Sequence, residues 1–271
     1  MMIKYASEYS TILLKSDRAK LSELRTMSKD KKRLVMASLS NLAKYLGIYE
    51  QWTSIRKNNG LKWEKRSALE AFVSILNSNV NDTAEWLMDI VKVLPKKYAT
   101  VVVFNALTGL RPTESCKSCK LITKLSTEGD LDKYLDRDLM LLQHFRFPEL
   151  FLRGSKNAFM SFISDDLLQL VLENKPAFEY TALTSAIRKR KQKIRVKELR
   201  KLYATTLRNN NVPSEVIDLL EGRVPQSIFL WFYYKPFLQD IRTKTLEAIR
   251  PLQEELLLAL EYSLSIFPSL F

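Results

Sequence analysis

Three basic residues and a pair of adjacent tyrosines occur close together in the last third of the chain. Lys197 and Arg200 are spaced i, i+3 in a stretch with helical periodicity, so they project from the same face of a helix. Arg223 follows a glycine that is typical of a helix end. Tyr233 or Tyr234 could then attack a phosphate ester, because the cations would hold the anion and stabilise charge developing on its oxygens.

Three short helices are predicted to position these groups. The first begins near Val196, and Pro213 suits the first turn of the second, which Gly222 ends in the left-handed conformation. The third runs from Pro225 to Pro236 and would carry the tyrosines back over the cations. A simpler interpretation is that the charges are solvated and both tyrosines lie in the core.

The charge distribution predicts a polyanionic partner. The chain has 271 residues and a net charge of +13, with +8 in residues 1–62 and +9 in residues 186–211. Nucleic acid and an anionic membrane surface both fit this net charge. The concentration of the basic residues in two zones favours nucleic acid. The candidate DNA-binding residues are Lys31, Lys32, Arg33 and Lys44 in the first zone and Arg188, Lys189, Arg190, Lys191, Lys193 and Arg195 in the second.

Metal and cofactor chemistry has few candidate residues. Cys116 and Cys119 form half of a zinc site, and His144, the sole histidine, would add one ligand. We expect reduced thiols on a helix, with structural zinc or a local disulfide as alternatives. One histidine also disfavours a metal-dependent nuclease and serine-histidine or cysteine-histidine catalysis. The sequence therefore predicts no cofactor.

The N-terminus has no signal-peptide core, and no apolar run reaches the roughly 18 residues of a membrane span. We therefore expect a cytoplasmic protein located at the host nucleoid, with no membrane partner.

Residues 1–62 are predicted to form a basic helical domain, with a hinge at Gly60. Farther along, KKYATVVVFNALTG is apolar nearly all round and predicts a buried helix that ends at Gly109. Pro112 suits the first position of the next helix, so Arg111 stands at a rigid junction. The N-terminus of that next helix would attract phosphate.

A β-hairpin is predicted in FRFPELFLRGSKNAFMSFIS, with a turn at Gly154 and Ser155 and a second strand from Ala158 to Ile163. Lys156 lies at its tip, where a lysine is commonly just solvated. Residues 122–145 show no clear pattern, and the tail is an amphipathic helix broken at Pro251. The fold class is therefore mainly α with a small β-hairpin or sheet.

Taken together, the segments TGLRPTES, RGSKNAF, KELR, GR and FYY resemble, in order and spacing, the active-site boxes of tyrosine recombinases. The resemblance covers about residues 63–240 and is closest to integrases of archaeal viruses and plasmids. It implies a core-binding domain over residues 1–62 and an α+β catalytic domain over 63–271. The C-terminal helices, 237–271, are candidates for exchange between protomers.

The resemblance assigns a role to each matching residue. Arg111 corresponds to the first catalytic arginine and Glu114 to the acidic residue that follows it. Lys156 corresponds to the hairpin lysine and Arg200 to the second arginine.

Two positions depart from the majority pattern of the family. Lys197 and Arg223 stand where most members have histidine, as in many archaeal members. The subgroup's motif aligns Phe232, Tyr233 and Tyr234, which favours Tyr233 as the nucleophile and leaves Tyr234 as the alternative.

The implied reaction is strand exchange through a 3′-phosphotyrosyl bond, without metal or ATP. Its partners would be a double-stranded DNA attachment site and other copies of the chain, as a tetramer on DNA and a monomer or dimer when free. Relaxation of supercoils by a type IB topoisomerase is a rival interpretation. Sequence-specific DNA binding with vestigial catalytic boxes is another, and a membrane-surface protein is a third that rests on charge alone.

Overall fold

A computed structural model describes residues 2–63, 67–76, 81–154, 156–223 and 237–266. These residues are mainly helical with one small antiparallel sheet, which confirms the predicted secondary-structure class. The chain divides into two compact units, residues 1–78 and 79–271.

The first unit is built from short helices around one apolar cluster. Trp52 is fully buried there, and its Nε1 donates to Ser40 Oγ at 2.8 Å. The unit extends past residue 62, where the sequence predicts the domain boundary. Its role as a core-binding domain stays a prediction. The helices are α1 (Met2–Tyr9), α2 (Thr11–Lys15), α3 (Arg18–Thr26), α4 (Lys29–Tyr45), α5 (Tyr49–Asn58) and α6 (Ala68–Leu76).

The second unit packs its helices around a central one, α8, in which every residue from 99 to 108 is buried. The all-round apolar pattern of this segment predicted such a helix, so that prediction is confirmed. The helices of the unit are α7 (Asn81–Val93), α8 (Lys96–Thr108), α9 (Pro112–Glu128), α10 (Pro148–Phe151), α11 (Asp165–Asn174), α12 (Tyr180–Lys189), α13 (Leu199–Asn209), α14 (Ser214–Leu220) and α15 (Leu238–Ile266).

The sheet has three two-residue strands in the order β1-β2-β3, all antiparallel. The predicted first arm of the hairpin is wrong, because residues after β2 form a 3-10 turn and then α10. Pro148 explains the difference, since it lacks an N–H for a sheet and suits the first position of a helix. The strands are β1 (Leu135–Asp136), β2 (Leu141–Leu142) and β3 (Ser161–Phe162).

A buried polar chain ties this sheet to α9. Tyr134 Oη lies 2.8 Å from Ser118 Oγ and 2.6 Å from His144 Nδ1. His144 Nε2 lies 2.9 Å from Ser161 Oγ in β3. The sole histidine is thus fully buried in a structural network, and burial lowers its pKa to about 3.

We expect His144 to make the protein less stable as the pH falls. The imidazole is neutral in the fold but ordinarily titrates near 6.5 when unfolded, so protonation favours the unfolded state. Between pH 7.5 and 5 this removes about 2 kcal/mol from the free energy of unfolding. Urea denaturation at pH 7.5 and at pH 5 measures this change. The free energy of unfolding should fall by about 2 kcal/mol less in His144→Gln than in the parent. An equal fall in both proteins would contradict a buried, neutral His144.

The tail folds back on its own unit as one continuous helix, so the predicted break at Pro251 is wrong. Pro251 lies on the exposed side. Ile241 and Ala248 before it, and Leu256 after it, are buried, so packing on both sides of the proline holds the helix together. Helix α15 contacts α7, α8, α13 and β3 of the same chain. Exchange between protomers stays a prediction.

Within the described ranges, no helix is both long enough and apolar enough to span a membrane.

Candidate functional site

Arg111 lies at the junction between two helices, as predicted. Helix α8 ends at Gly109, whose φ of +64° is left-handed, and α9 begins at Pro112. Asn105 Nδ2 donates to the Leu110 carbonyl at 2.7 Å from inside the core, which fixes the three-residue linker between the helices. The Arg111 N–H then donates to Glu114 Oε2 at 3.0 Å, so the start of α9 is capped by its own third residue.

The Glu114 carboxylate is completely buried and binds two guanidinium groups. Arg111 Nη1 and Arg153 Nη2 each lie 3.0 Å from Glu114 Oε1. A buried carboxylate is stable only when it is paired and hydrogen-bonded, and here both partners are cations. The side chain of Arg111 is 26% exposed and that of Arg153 45% exposed, so both remain accessible on their outer side.

The loop that carries Lys156 is attached directly to Arg111. Arg111 Nη1 donates to the Asn157 carbonyl at 3.1 Å, one residue from the lysine. The Lys156 N–H donates to the Arg153 carbonyl at 2.9 Å, and the Arg153 N–H donates to Asn157 Oδ1 at 3.0 Å. Lys156 itself is exposed and is adjacent in sequence to Asn157, whose carbonyl binds Arg111.

Arg200 reaches from α13 to the same junction. Its Nη1 donates to the Gly109 carbonyl at 3.1 Å, its Nη2 donates to the Glu221 carbonyl, and its Nε lies 3.2 Å from Glu221 Oε1. Only 14% of the side chain is exposed, and this burial lowers the pKa of the guanidinium. The geometry therefore holds Arg200 rigidly from three sides.

Arg223 shares the carboxylate that binds Arg200. Its Nη2 lies 2.7 Å from Glu221 Oε2, and its Nη1 donates to Asp218 Oδ1 at 2.8 Å. Glu221 is 4% exposed, whereas the side chain of Arg223 is 63% exposed. One buried carboxylate thus joins a buried guanidinium to an open one.

Two glycines allow these segments to approach. A Cβ at Gly109 would lie 2.2 Å from Tyr203 Cδ1 of α13, and one at Gly222 would lie 1.9 Å from the Asn157 carbonyl oxygen. The same carbonyl accepts from Arg111, so the Gly222 contact brings the loop after α14 against the Lys156 loop. Arg111, Arg200 and Arg223 therefore belong to one cluster, together with the backbone beside Lys156.

We expect Gly222→Ala to destabilise the protein far more than Gly129→Ala. Both glycines are left-handed, at φ +72° and +77°, so alanine costs roughly 1–2 kcal/mol of backbone strain at either position. A Cβ at Gly129 meets nothing within 4 Å, whereas one at Gly222 overlaps the Asn157 backbone. That overlap should add about 1–3 kcal/mol. Chemical denaturation measures both variants, and equal losses would contradict the close contact.

The remaining predicted catalytic residues are placed less fully. Lys197 is exposed in a 3-10 turn, Val196–Glu198, which Thr83 holds against α7 by donating to Glu198 Oε2 at 3.2 Å. Tyr233 and Tyr234, with the short helix predicted to carry them, lie outside the described residues. Their roles stay predictions.

The second basic zone leads from α12 to Lys197 as an anchored segment. Arg190 Nε donates to the Val93 carbonyl at the end of α7, and Trp86 Nε1 donates to the Lys193 carbonyl at 2.9 Å. Arg190 is thereby engaged in the fold. Of the six residues predicted to bind DNA in this zone, Arg188, Lys189, Lys191 and Lys193 are exposed, and Arg190 and Arg195 are partly exposed.

In the first unit, the basic residues predicted to bind DNA lie on α4. Lys31, Arg33 and Lys44 are exposed, and Lys32 is partly exposed. The buried residues of α4 are Val35, Met36, Ser38, Leu39, Ser40 and Ala43. The helix therefore exposes basic side chains beside a buried, mainly apolar stripe.

Sequence reasoning missed three members of the cluster, which are Arg153, Asn157 and Glu221. The only local signals are that Arg153 lies three residues before Lys156 and that Glu221 directly precedes Gly222. Neither signal indicates that Arg153 binds Glu114, 39 residues away, or that Glu221 binds Arg200, 21 residues away.

The predicted thiol pair lies away from this chemistry. Cys116 and Cys119 are free and buried in α9, and burial raises the pKa of the Cys116 thiol to about 12. Neither thiol is therefore a ready nucleophile.

Fold and site together define a helical protein with a cluster of arginines suited to binding a phosphodiester. The family model described as archaeal phage integrase matches residues 92–240, which is more than half of the chain and includes the whole cluster. The chain belongs to this archaeal phage integrase family, as the sequence motifs predicted. Comparison with curated proteins and with solved structures finds no match for the chain. Membership indicates site-specific recombination with DNA as the substrate.

Proposed function

We propose that the protein is a site-specific recombinase that cuts and rejoins DNA through a 3′-phosphotyrosyl intermediate. The observation that carries this proposal is the arginine cluster. Arg111, Arg200 and Arg223 come from three separate segments and converge through Glu221, Asn157 and the Gly109 carbonyl. Negative charge builds on the non-bridging oxygens of a pentavalent phosphorane. Three converging guanidinium groups would stabilise that charge.

The arginines would bind those oxygens. Guanidinium groups offer paired donors in a fixed fork, which matches phosphate better than a single ammonium group does. Arg223 is the most exposed of the three and would meet the phosphate from the open side. Because these donors stabilise the developing charge, the step needs no divalent ion in this proposal.

The proton transfers fall to the two lysines. Tyr233 Oη would attack phosphorus while Lys197 acts in one of two ways. As a neutral amine it takes up the phenol proton; as a cation it orients Tyr233 electrostatically, and water accepts the proton. The bond from phosphorus to the 5′ oxygen breaks, and Lys156, exposed on its braced loop, protonates that oxygen. The phosphodiester is exchanged for a phosphotyrosyl ester of similar energy, so the reverse attack by a partner strand needs no ATP.

DNA binding would extend over both basic zones. The exposed basic face of α4 and the exposed residues from Arg188 to Lys193 offer phosphate contacts that do not depend on the catalytic cluster. Exchange between two duplexes would require four protomers, each with its own cluster.

Covalent capture tests this function. The purified full chain is incubated in EDTA, without ATP, with nicked suicide duplexes tiled across DNA fragments that it binds. We expect a covalent protein–DNA band, with peptide mapping placing the adduct at Tyr233. An adduct at Tyr234 would keep the reaction and change the nucleophile. Binding to a defined site without any adduct would overturn the proposal and favour a DNA-binding protein.

A joining assay separates recombination from relaxation. Recombination predicts transfer of the captured strand to a second duplex that carries the same site. Relaxation of a supercoiled plasmid without transfer would instead favour a topoisomerase.

A further inference from the structure

We propose that Glu221 is a positioning residue that sets the spacing of Arg200 and Arg223 for the scissile phosphate. This inference rests on the proposed function and concerns the same cluster. Each oxygen of the Glu221 carboxylate pairs with a different arginine.

The guanidinium groups of Arg200 and Arg223 carry like charges. Two guanidinium groups that converge on one anion repel each other until that anion arrives. Glu221 lies between them, with Oε1 3.2 Å from Arg200 Nε and Oε2 2.7 Å from Arg223 Nη2. Because Glu221 is 4% exposed, water screens this attraction little, and the pair is held together before DNA binds.

The backbone adds to this arrangement. The Glu221 carbonyl also accepts from Arg200 Nη2, so Arg200 contacts both the main chain and the side chain of one residue. The following residue is Gly222, which packs on the Asn157 carbonyl that binds Arg111. Glu221 therefore sits where the positions of all three arginines are linked.

Asp218 provides a matched comparison. Its carboxylate also pairs with Arg223, through Nη1 at 2.8 Å, but its side chain is 38% exposed. None of the contacts described for Asp218 involves Arg200. Loss of the Asp218 charge should leave the spacing of the two arginines nearly unchanged.

The test compares Glu221→Gln with Asp218→Asn in single-turnover cleavage of a suicide duplex. Glutamine keeps the shape of glutamate but removes its charge and turns an N–H₂ group toward one guanidinium. We expect cleavage to slow by about 10–100-fold in Glu221→Gln, by analogy with the loss of residues that orient metal ligands. The affinity for DNA should change less than threefold, and Asp218→Asn should stay within threefold of the parent in both measurements.

A double-variant cycle separates positioning from general damage to the fold. In an Arg223→Gln background Glu221 has lost one of the groups it positions, so Glu221→Gln should slow cleavage at least threefold less than it does in the parent. The same factor in both backgrounds would indicate a structural role and overturn the inference. If Glu221→Gln fails to fold, Glu221→Asp carries the same cycle with the charge retained and the reach shortened.

The two proposals fail differently. A parent protein that binds its site and forms no adduct overturns the proposed function. A parent that forms the adduct normally, with Glu221→Gln as active as Asp218→Asn, overturns the role of Glu221 alone.

Discussion

Tyr233→Phe should abolish covalent attachment to DNA while it leaves DNA binding within about twofold. The change removes one oxygen, which is the proposed nucleophile, so no phosphotyrosyl bond can form at this position. Binding should persist because, in this proposal, exposed basic residues from two separate zones would contact phosphates. A suicide duplex measures attachment, and a gel-shift titration at fixed salt measures binding.

Tyr234→Phe is the matched control, because it removes the same atom from the neighbouring residue. We expect it to keep covalent attachment within a fewfold of the parent. Adducts at normal yield from Tyr233→Phe, together with their loss in Tyr234→Phe, would transfer the nucleophile to Tyr234. Normal yield from both variants would contradict the motif alignment.

Arg200→Lys should slow cleavage by roughly a thousandfold, the upper range for loss of one preorganised donor at ~3–4 kcal/mol of transition-state stabilisation. Lysine keeps the positive charge but replaces the forked guanidinium group with a single ammonium group. It cannot reach the Gly109 carbonyl, the Glu221 carbonyl and the Glu221 carboxylate at once, as Arg200 does. A single-turnover assay measures the rate, and a near-normal rate would show that charge alone suffices at this position.

The same substitution should reduce stability, because Glu221 stays buried after losing part of its pairing. Removing one partner of a buried ion pair costs about 3–5 kcal/mol, although the lysine charge and Arg223 should recover a portion. Arg208→Lys is the control, since Arg208 is exposed on the same helix, α13. We expect it to match the parent in chemical denaturation and in cleavage.

Local sequence signals predicted the two helices on either side of Arg111. A segment that is apolar nearly all round predicted the buried helix α8. Gly109 predicted its left-handed end, and Pro112 predicted the start of α9. Each of these signals acts within a few residues of the feature that it controls, so no knowledge of the remaining chain is needed.

The same kind of reasoning was wrong where two local signals competed, as at Pro148, or where packing outweighed a local signal, as at Pro251. Alternation over residues 145–152 predicted a strand, but Pro148 began a helical turn. Pro251 predicted a helix break, yet both halves of α15 pack on one core. Residues 122–145 showed no pattern because two-residue strands are too short to display a period of two.

The sequence by itself determined the family, since membership depends on residue type and order along the chain, and it predicts which groups react. Only the tertiary structure decided how the arginines are held. Arg200 binds a carbonyl 91 residues away, and Arg111 binds one 46 residues away. No periodicity encodes such contacts, because they form only when segments distant in sequence pack together. Gly109 then makes room for the Tyr203 ring, and Gly222 lets its segment meet the Asn157 backbone. The buried carboxylates of Glu114 and Glu221 acquire their importance at that stage, when folding removes them from water and leaves arginines as their partners.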